Sequence, residues 1–297
     1  MIHCLLQVLS GIVIIWGVAT SGAVHPPTVP GVAFFSARLS LAGAILVLAA
    51  GCAAGHPAGH SGAGIARTSP GSVAQAALPL AGKVIGIDPG HNGRNYTDPT
   101  YLNHQVWNGR TEEACDTTGT STNAGYPEPR FTWRVATFLR RDLRREGATV
   151  AMTRHNNHGL GPCVNTRAKI LNRAHSVVAI DIHGDGGPAS GRGFAILEPV
   201  ADGPNNHVIH ASNRFGRDVR HAMLARTSMP TSTYDGVHGL THRSDLAGLN
   251  LATEPKVLIE CGNMRNATDA HLMTSRHFQR QVAKALTKAI VYFVRHH

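Results

Sequence analysis

The stretch that decides the fold is KVIGIDPGH, residues 83–91. It predicts a short apolar strand of branched side chains that a Pro-Gly pair ends. Two later runs have the same form, VVAIDIH at residues 177–183 and VLIE at residues 257–260. Each run ends on, or is soon followed by, a side chain capable of chemistry: His91, His183 and Glu260. We therefore expect three buried strands that carry functional side chains at their carboxyl ends.

Helical periodicity fills the segments between these strands. Apolar residues recur at helical spacing over residues 128–146, where Glu128 opens the helix and Gly147 ends it. Residues 92–127 are interpreted as a long polar loop. The other predicted elements are helices over 164–174, 208–226 and 278–294, and strands over 149–153 and 194–197. This alternation predicts a single α/β domain over residues 82–297, with a twisted, mainly parallel central sheet flanked by helices.

The N-terminal region has the composition of a targeting segment. Residues 1–82 contain no Asp or Glu, and Arg38 and Arg67 are their only strong cations. Arg38 is followed by an apolar stretch of about a dozen residues and then by small residues, which is typical of a signal peptide. We therefore assign residues 1–54 to targeting, and residues 55–81, rich in Gly, Ala, Ser and Pro, to a flexible linker.

Two questions about this region stay open at the level of sequence. The first apolar run, residues 4–24, is long enough to span a membrane but lacks a positive flank, so we expect translation to begin near Val32. The stretch AAGC that ends at Cys52 resembles a lipoprotein cleavage box, although the usual Leu comes one place too early. A lipid anchor at Cys52 is therefore an alternative to free export. In both cases we expect the domain to lie in the periplasm or cell wall.

The charge of the chain restricts its partners. Beyond residue 82 it holds 26 Lys and Arg (28 less Arg38 and Arg67) against 18 Asp and Glu, a formal net charge of +8. A basic surface favours polyanionic surroundings, but the chain has no run of five basic residues and no interleaved basic–aromatic stretch, which disfavours nucleic acid. We expect a weak, salt-screened attraction to anionic cell-wall polymers, membrane contact only through the N-terminal segment, and a monomer.

Five cysteines divide into two groups, of which Cys4 and Cys52 belong to the targeting region. Cys115 and Cys163 lie in loop-like, Gly-rich sequence, and we pair them in a disulfide, which export permits. They are 48 residues apart, and closing such a loop stabilises the fold by roughly 4 kcal/mol on the chain-entropy model. Cys261 lies in an apolar strand, where we expect a buried free thiol.

The positions of two of the 19 histidines, relative to the predicted strands, distinguish them from the others. His91 follows one predicted strand and His183 ends another, and ligands of open α/β sheets bind outside the carboxyl ends of strands. Glu128 begins a helix at the same edge, and Glu260 ends a third strand. Two imidazoles and one carboxylate with an open fourth position form a catalytic zinc set, and a second carboxylate nearby would be the general base. Asp88 and Asp181 are candidates for orienting a ligand imidazole, with a turn or hydrogen-bond partner as the alternative role, and we expect the orienting role for Asp88.

Several segments, in order, then resemble one family. The zinc-dependent N-acetylmuramoyl-L-alanine amidases have zinc motifs and a catalytic-glutamate strand similar to DPGHNG (88–93), Glu128 with FTW (131–133), IHGDGG (182–187) and VLIE (257–260). The mycobacterial members are most similar, through GTSTN (119–123), GPCV (161–164), GPASGRG (187–193) and RSDLAGLN (243–250). The resemblance covers about residues 82–296.

The resemblance implies one zinc ion per chain, held by His91, Glu128 and His183, with Glu260 as the catalytic residue. It implies cleavage, in peptidoglycan, of the amide that joins the lactyl group of N-acetylmuramic acid to the L-alanine of the stem peptide. The role would be cell-wall remodelling or daughter-cell separation. It also implies the disulfide between Cys115 and Cys163.

One matched segment and two departures from the pattern add further expectations. Segment 243–250 is predicted to line the substrate groove, with plain loop packing as the equal alternative; the residues concerned are Ser244, Asp245, Leu249 and Asn250. Asp181 stands where a Ser is usual, and Cys261 follows the catalytic Glu where Gly or Leu is common. Neither departure removes a ligand, but either could retune the acidity of Glu260 or the metal.

Two rival functions are compatible with the sequence. The first is another zinc hydrolase of the envelope, such as a peptidoglycan carboxypeptidase. The second is a non-catalytic wall-binding or activator protein, although degenerate relatives of hydrolases usually lose a ligand or the base, and none is missing here.

Overall fold

A six-stranded sheet organises the part of the chain that the computed structural model describes, residues 77–201 and 203–297. The predicted targeting segment 1–54 and most of the predicted linker lie outside these residues. The main sheet contains six strands, and β2 and β3 form a separate two-stranded sheet. The strands of both sheets are β1 (Val84–Pro89), β2 (Gln105–Trp107), β3 (Glu112–Ala114), β4 (Thr149–Met152), β5 (Val178–Asp185), β6 (Ala195–Pro199), β7 (Leu240–Arg243) and β8 (Lys256–Asn263).

The order of the main sheet is β4-β1-β5-β8-β6-β7. β4, β1, β5 and β8 are parallel to one another, whereas β6 is antiparallel to β8 and parallel to β7. The sheet is therefore mainly parallel, as the alternation of elements predicts. The predicted strands 83–88, 149–153, 177–183, 194–197 and 257–260 all correspond to observed ones. β7 has no sequence prediction, because Thr241, His242 and Arg243 give it no apolar run.

Seven α-helices accompany the strands in the described residues. They are α1 (Pro99–Asn103), α2 (Glu128–Arg145), α3 (Val164–Arg173), α4 (Ile209–Arg226), α5 (Ala247–Asn250), α6 (Ala267–Thr274) and α7 (Arg276–His296). The four predicted helices are α2, α3, α4 and α7. Glu128 lies in the first turn of α2, where a carboxylate interacts favourably with the positive end of the helix dipole. It is followed by Gly147 at φ +96°, a left-handed conformation that suits glycine after a helix.

The two faces of the sheet differ in chemistry. Because side chains alternate along a strand, Ile180 and Ile182 of β5 face one side, with Ile259 of β8, while Asp181 and His183 face the other. The first side packs against α2, α4 and α7 in the main apolar core. The second side is covered by α3 and α5, and its apolar contacts form only a small cluster around Leu197, Leu249 and Leu258. The functional side chains therefore lie on the side with little apolar core.

Two expectations about chain organisation need correction. Residues 92–127, predicted as loop, contain the short helix α1 and the antiparallel hairpin β2–β3, which are too short and polar to show periodicity. The end of the predicted linker belongs to the domain: Leu80 is fully buried in the main core, and its N–H donates to the Glu146 carbonyl at 2.8 Å.

Two further observations complete the description of the fold. Within the residues described, no helix combines the length and hydropathy needed to cross a membrane. Cys115 and Cys163 form a disulfide, and Cys261 is a buried free thiol, both as the sequence predicts.

Candidate metal centre and its cleft

A cleft of about 390 Å³ opens at the carboxyl ends of β1, β5 and β8. His91 follows β1, His183 lies near the end of β5, and Glu260 lies opposite His183 on β8 in the sheet register. Glu128 reaches the same cleft from the first turn of α2. The four residues selected from the sequence therefore converge on one space.

Glu128 lies between the two imidazoles. Its Oε2 is 3.2 Å from His91 Nε2, and its Oε1 is 2.9 Å from His183 Nδ1. The two rings meet edge to face with centroids 4.9 Å apart. One ligand atom from each of the three residues lies within 4.8 Å of the others, close enough for all three to bind a single ion.

Local backbone geometry aims the first imidazole into the cleft. His91 has φ +56°, a left-handed conformation that is uncommon for a residue other than glycine and that clusters at functional sites. The preceding Gly90 packs directly against the ring of His183, where a Cβ would collide with it. The Pro-Gly pair after β1 therefore both ends the strand and leaves room for the second imidazole.

The charges of these three residues depend on one another. Burial lowers the pKa of His91, but Glu128 and Asp116 outweigh that effect and raise it to about 9. Burial also opposes the charge of His183, and Asp181 and Glu128 raise its pKa well above the usual value. Burial raises the pKa of Glu128, yet the two imidazoles hold it well below its usual range. Glu128 therefore stays ionised in a space that attracts positive charge.

Glu260 has the features of a proton acceptor. Its Oε2 is buried and has no hydrogen-bond partner among the described residues. Burial raises its pKa to about 8, with His183 opposing the rise and Glu128 and Asp185 adding to it. A carboxylate with a free oxygen and a pKa near neutrality can take and return a proton.

The donor set fits a zinc ion. Two imidazole nitrogens and one carboxylate oxygen are the ligands of many catalytic zinc sites, in which a fourth position stays open. Glu260 Oε2 is buried at the cleft and lacks a hydrogen-bond partner among the described residues. A buried carboxylate oxygen without a partner is costly unless a cation offsets its charge, so the residues present suit a divalent metal.

The carboxylate within hydrogen-bonding distance of His91 is Asp116 and not Asp88, which was expected in that place. Asp116 Oδ1 is 3.0 Å from His91 Nδ1, whereas the described part of the chain shows no hydrogen bond between Asp88 and either imidazole. Asp88 instead accepts from Thr153 at 2.6 Å, Arg167 at 2.8 Å and Lys256 at 3.2 Å. These bonds tie Asp88 into a layer of charged side chains beside the cleft.

This charged layer could not be read from the sequence. Arg167 lies on α3 with its side chain buried, and also contacts Asp116 at 3.4 Å. Lys256 begins β8 and is 1% exposed. Periodicity marks such positions as inward, but it predicts apolar side chains there. The one hint was that Asp116 directly follows a cysteine predicted to be bridged.

The predicted substrate residues do not line the cleft, and the alternative of loop packing is the better account. Leu249 is buried in the small apolar cluster, and Asn250 is buried and donates to the Ser244 carbonyl at 2.9 Å. Ser244 and Asp245 are exposed, and Asp245 pairs with Arg243 at 2.6 Å. Their neighbours on the same segment do line the cleft: Arg243, Leu246, Ala247 and Gly248.

A second group with metal-ligand chemistry lies beside the cleft. His104, Cys115 and Cys163 have ligand atoms within 4.8 Å of one another. Both cysteines are in the disulfide, and a thiolate is the form that binds metals. This group therefore carries no metal site in the oxidised protein.

Comparisons with known proteins agree with this geometry. A family model described as N-acetylmuramoyl-L-alanine amidase matches residues 85–292. The N-acetylmuramoyl-L-alanine amidase Rv3717 of Mycobacterium tuberculosis is 41% identical over 222 residues, which cover 72% of this chain and 88% of that protein.

Solved structures give the same result. The crystal structure of the amidase Ami1 from Mycobacterium smegmatis is 40% identical with a TM-score of 0.69, and the match covers 73% of this chain and 99% of that one. Apo Ami1 from Mycobacterium abscessus is 42% identical with a TM-score of 0.68, covering 72% and 99%. The chain thus belongs to the N-acetylmuramoyl-L-alanine amidase family.

Proposed function

We propose that the protein is a zinc-dependent N-acetylmuramoyl-L-alanine amidase that hydrolyses the amide between N-acetylmuramic acid and L-alanine in peptidoglycan. The observation that carries this proposal is the meeting of His91, Glu128 and His183 in one cleft that also holds Glu260 with an unpartnered oxygen. Membership of the family supports the choice of substrate. Cell-wall remodelling or daughter-cell separation is the role we assign to it.

The proposed roles of the residues follow from their positions. His91, Glu128 and His183 would hold one zinc ion, which when bound supplies Lewis-acid polarisation of a water and of the amide carbonyl. Glu260 takes a proton from the water as the water oxygen attacks the carbonyl carbon. It then returns that proton to the amide nitrogen as the carbon–nitrogen bond breaks. The products are a lactyl carboxylate and a free L-alanine amine.

The setting of the enzyme is part of the same proposal. We place the domain outside the cytoplasmic membrane, in the periplasm or cell wall, because its substrate lies there and because a disulfide persists in oxidising compartments. The net charge of +8 beyond residue 82 favours retention near anionic wall polymers. We propose that the protein acts as a monomer and does not bind nucleic acid.

The test is digestion of purified peptidoglycan with the zinc-loaded protein, followed by mass spectrometry. We expect glycans in which N-acetylmuramic acid has a free lactyl carboxylate, and stem peptides with a free L-alanine amine. We expect a chelator to abolish this release and added zinc to restore it. Loss of terminal D-alanine alone would indicate a carboxypeptidase, and binding without any cleavage would indicate a non-catalytic wall protein; either result would refute the amidase.

A further inference from the structure

Each of the two imidazoles contacts Glu128 through one nitrogen and a second carboxylate through the other. His91 Nδ1 is 3.0 Å from Asp116 Oδ1, and His183 Nε2 is 3.3 Å from Asp181 Oδ1. A metal-binding histidine commonly donates its second ring N–H to a carboxylate, which fixes the tautomer and the ring orientation. The site therefore has a candidate orienting group for each ring.

The two orienting carboxylates are held differently. Asp116 is tied into its loop, since it accepts from the Thr117 N–H at 2.7 Å and from Asn92 Nδ2 at 3.1 Å. Asp181 Oδ1 is buried and has no hydrogen-bond partner within the described residues, although it lies at ion-pair distance from His183. This oxygen is therefore available to accept a hydrogen bond from the imidazole at the cleft.

Lys256 supplies the charge that balances Asp181. Its side chain is 1% exposed, and its Nζ lies 3.2 Å from Asp88 Oδ2 and 4.0 Å from Asp181 Oδ2. Burial lowers the pKa of Lys256, but Asp88 and Asp181 reverse this and raise it, so the ammonium stays charged. A buried charge is tolerated when it is paired, and Asp88 is also paired with Arg167. The ammonium therefore lies within ion-pair distance of both carboxylates, Asp88 and Asp181.

We infer that Asp181 is a positioning residue for the metal site. Its carboxylate accepts the Nε2 proton of His183 and thereby holds Nδ1 toward the metal, while Lys256 balances its charge. The inference rests on the proposed function, because it takes His183 as a metal ligand. It gives a role to the departure at position 181, where a shorter, uncharged serine side chain would not pair with Lys256.

The test compares zinc dissociation constants, measured by chelator competition, for the wild type and three variants. Asp181→Leu removes the acceptor at similar volume, and we expect zinc binding about 10–100-fold weaker, the usual cost of losing an orienting partner. Asp181→Asn keeps an accepting oxygen without the charge, and we expect part of the affinity to return. The control is Glu254→Gln, which alters a buried carboxylate near Lys256 that orients no ligand; its affinity should equal that of the wild type.

A second measurement needs no variant. In the zinc-loaded wild type, imidazole nitrogen NMR shifts should place the proton of His183 on Nε2. A proton on Nδ1, or wild-type zinc affinity in Asp181→Leu, would overturn the inference and leave the amidase proposal intact. Failure of the wild type to bind zinc would instead overturn the proposed function, and the inference with it.

Discussion

Replacement of Glu260 by glutamine tests the proposed site both in metal-free protein, through stability, and in zinc-loaded protein, through catalysis. Burial raises the pKa of Glu260 to about 8, and Oε2 has no hydrogen-bond partner among the described residues. Glutamine keeps the size of the side chain but cannot ionise. The variant therefore removes one titration and leaves the packing of the cleft in place.

The magnitude follows from the shift in pKa. The folded protein binds the Glu260 proton more tightly than the unfolded chain does, so its contribution to the free energy of unfolding falls as pH rises from about 4.5 through about 8. The rise from 4.5 to about 8 corresponds to a loss on the order of 5 kcal/mol at high pH, at 1.36 kcal/mol per pKa unit. Glu260→Gln does not undergo this loss.

The assay is urea denaturation of chelator-treated protein at a series of pH values from 4 to 9. We expect the stability of Glu260→Gln relative to the wild type to grow by several kcal/mol across that range. The control is Glu112→Gln, which changes an exposed side chain and should give no such trend. A constant difference between wild type and Glu260→Gln would refute the reasoning about burial.

The same variant tests catalysis once zinc is restored. We expect the rate of peptidoglycan hydrolysis to fall by about 10²–10⁴-fold, the usual contribution of a general acid–base group, while zinc stays bound. Unchanged turnover with bound zinc would show that Glu260 is not the proton acceptor.

Three further predictions concern the surroundings of the site. Arg167→Leu removes one charged partner from each of two buried carboxylates, Asp88 and Asp116, and should lower the free energy of unfolding by about 3–5 kcal/mol in urea titrations, whereas the exposed Lys169→Leu on the same helix should not. Gly90→Ala places a Cβ against the His183 ring and should weaken zinc binding in chelator competition; wild-type affinity would contradict the packing. Cys115→Ser opens the 48-residue loop and should lower stability by roughly 4 kcal/mol, and an unchanged melting temperature would count against this.

Strand and helix positions could be predicted because burial of whole faces determines them. β1, β5 and β8 appear in the sequence as branched apolar runs, and α2 as a helical repeat. Side chains at the ends of such elements must meet at one edge of the sheet, which explains why His91, Glu128, His183 and Glu260 could be selected before any coordinates.

The partners of these side chains could not be predicted, because they depend on contacts between distant segments. Asp116 lies in a loop, and Arg167 and Lys256 come from a helix and a strand that pattern alone would fill with apolar residues. The matched segment 243–250 does reach the cleft, but the four side chains selected from it do not line it, since a motif does not show which way each residue points. Leu249 points into a small apolar cluster, while Gly248 lines the cleft.

The different chemistry of the two faces of the central sheet determines which amino-acid substitutions this protein can tolerate. The main apolar core lies against α2, α4 and α7, and the charged layer that supports the cleft lies on the opposite side under α3 and α5. Apolar exchanges that conserve volume are usually mild, so thermostability could be selected on the first side without disturbing the reacting groups. The second side has no such freedom, because each ionic side chain there compensates another. We expect tolerated substitutions in a saturation library to concentrate on one face of β5 and to be rare on the other.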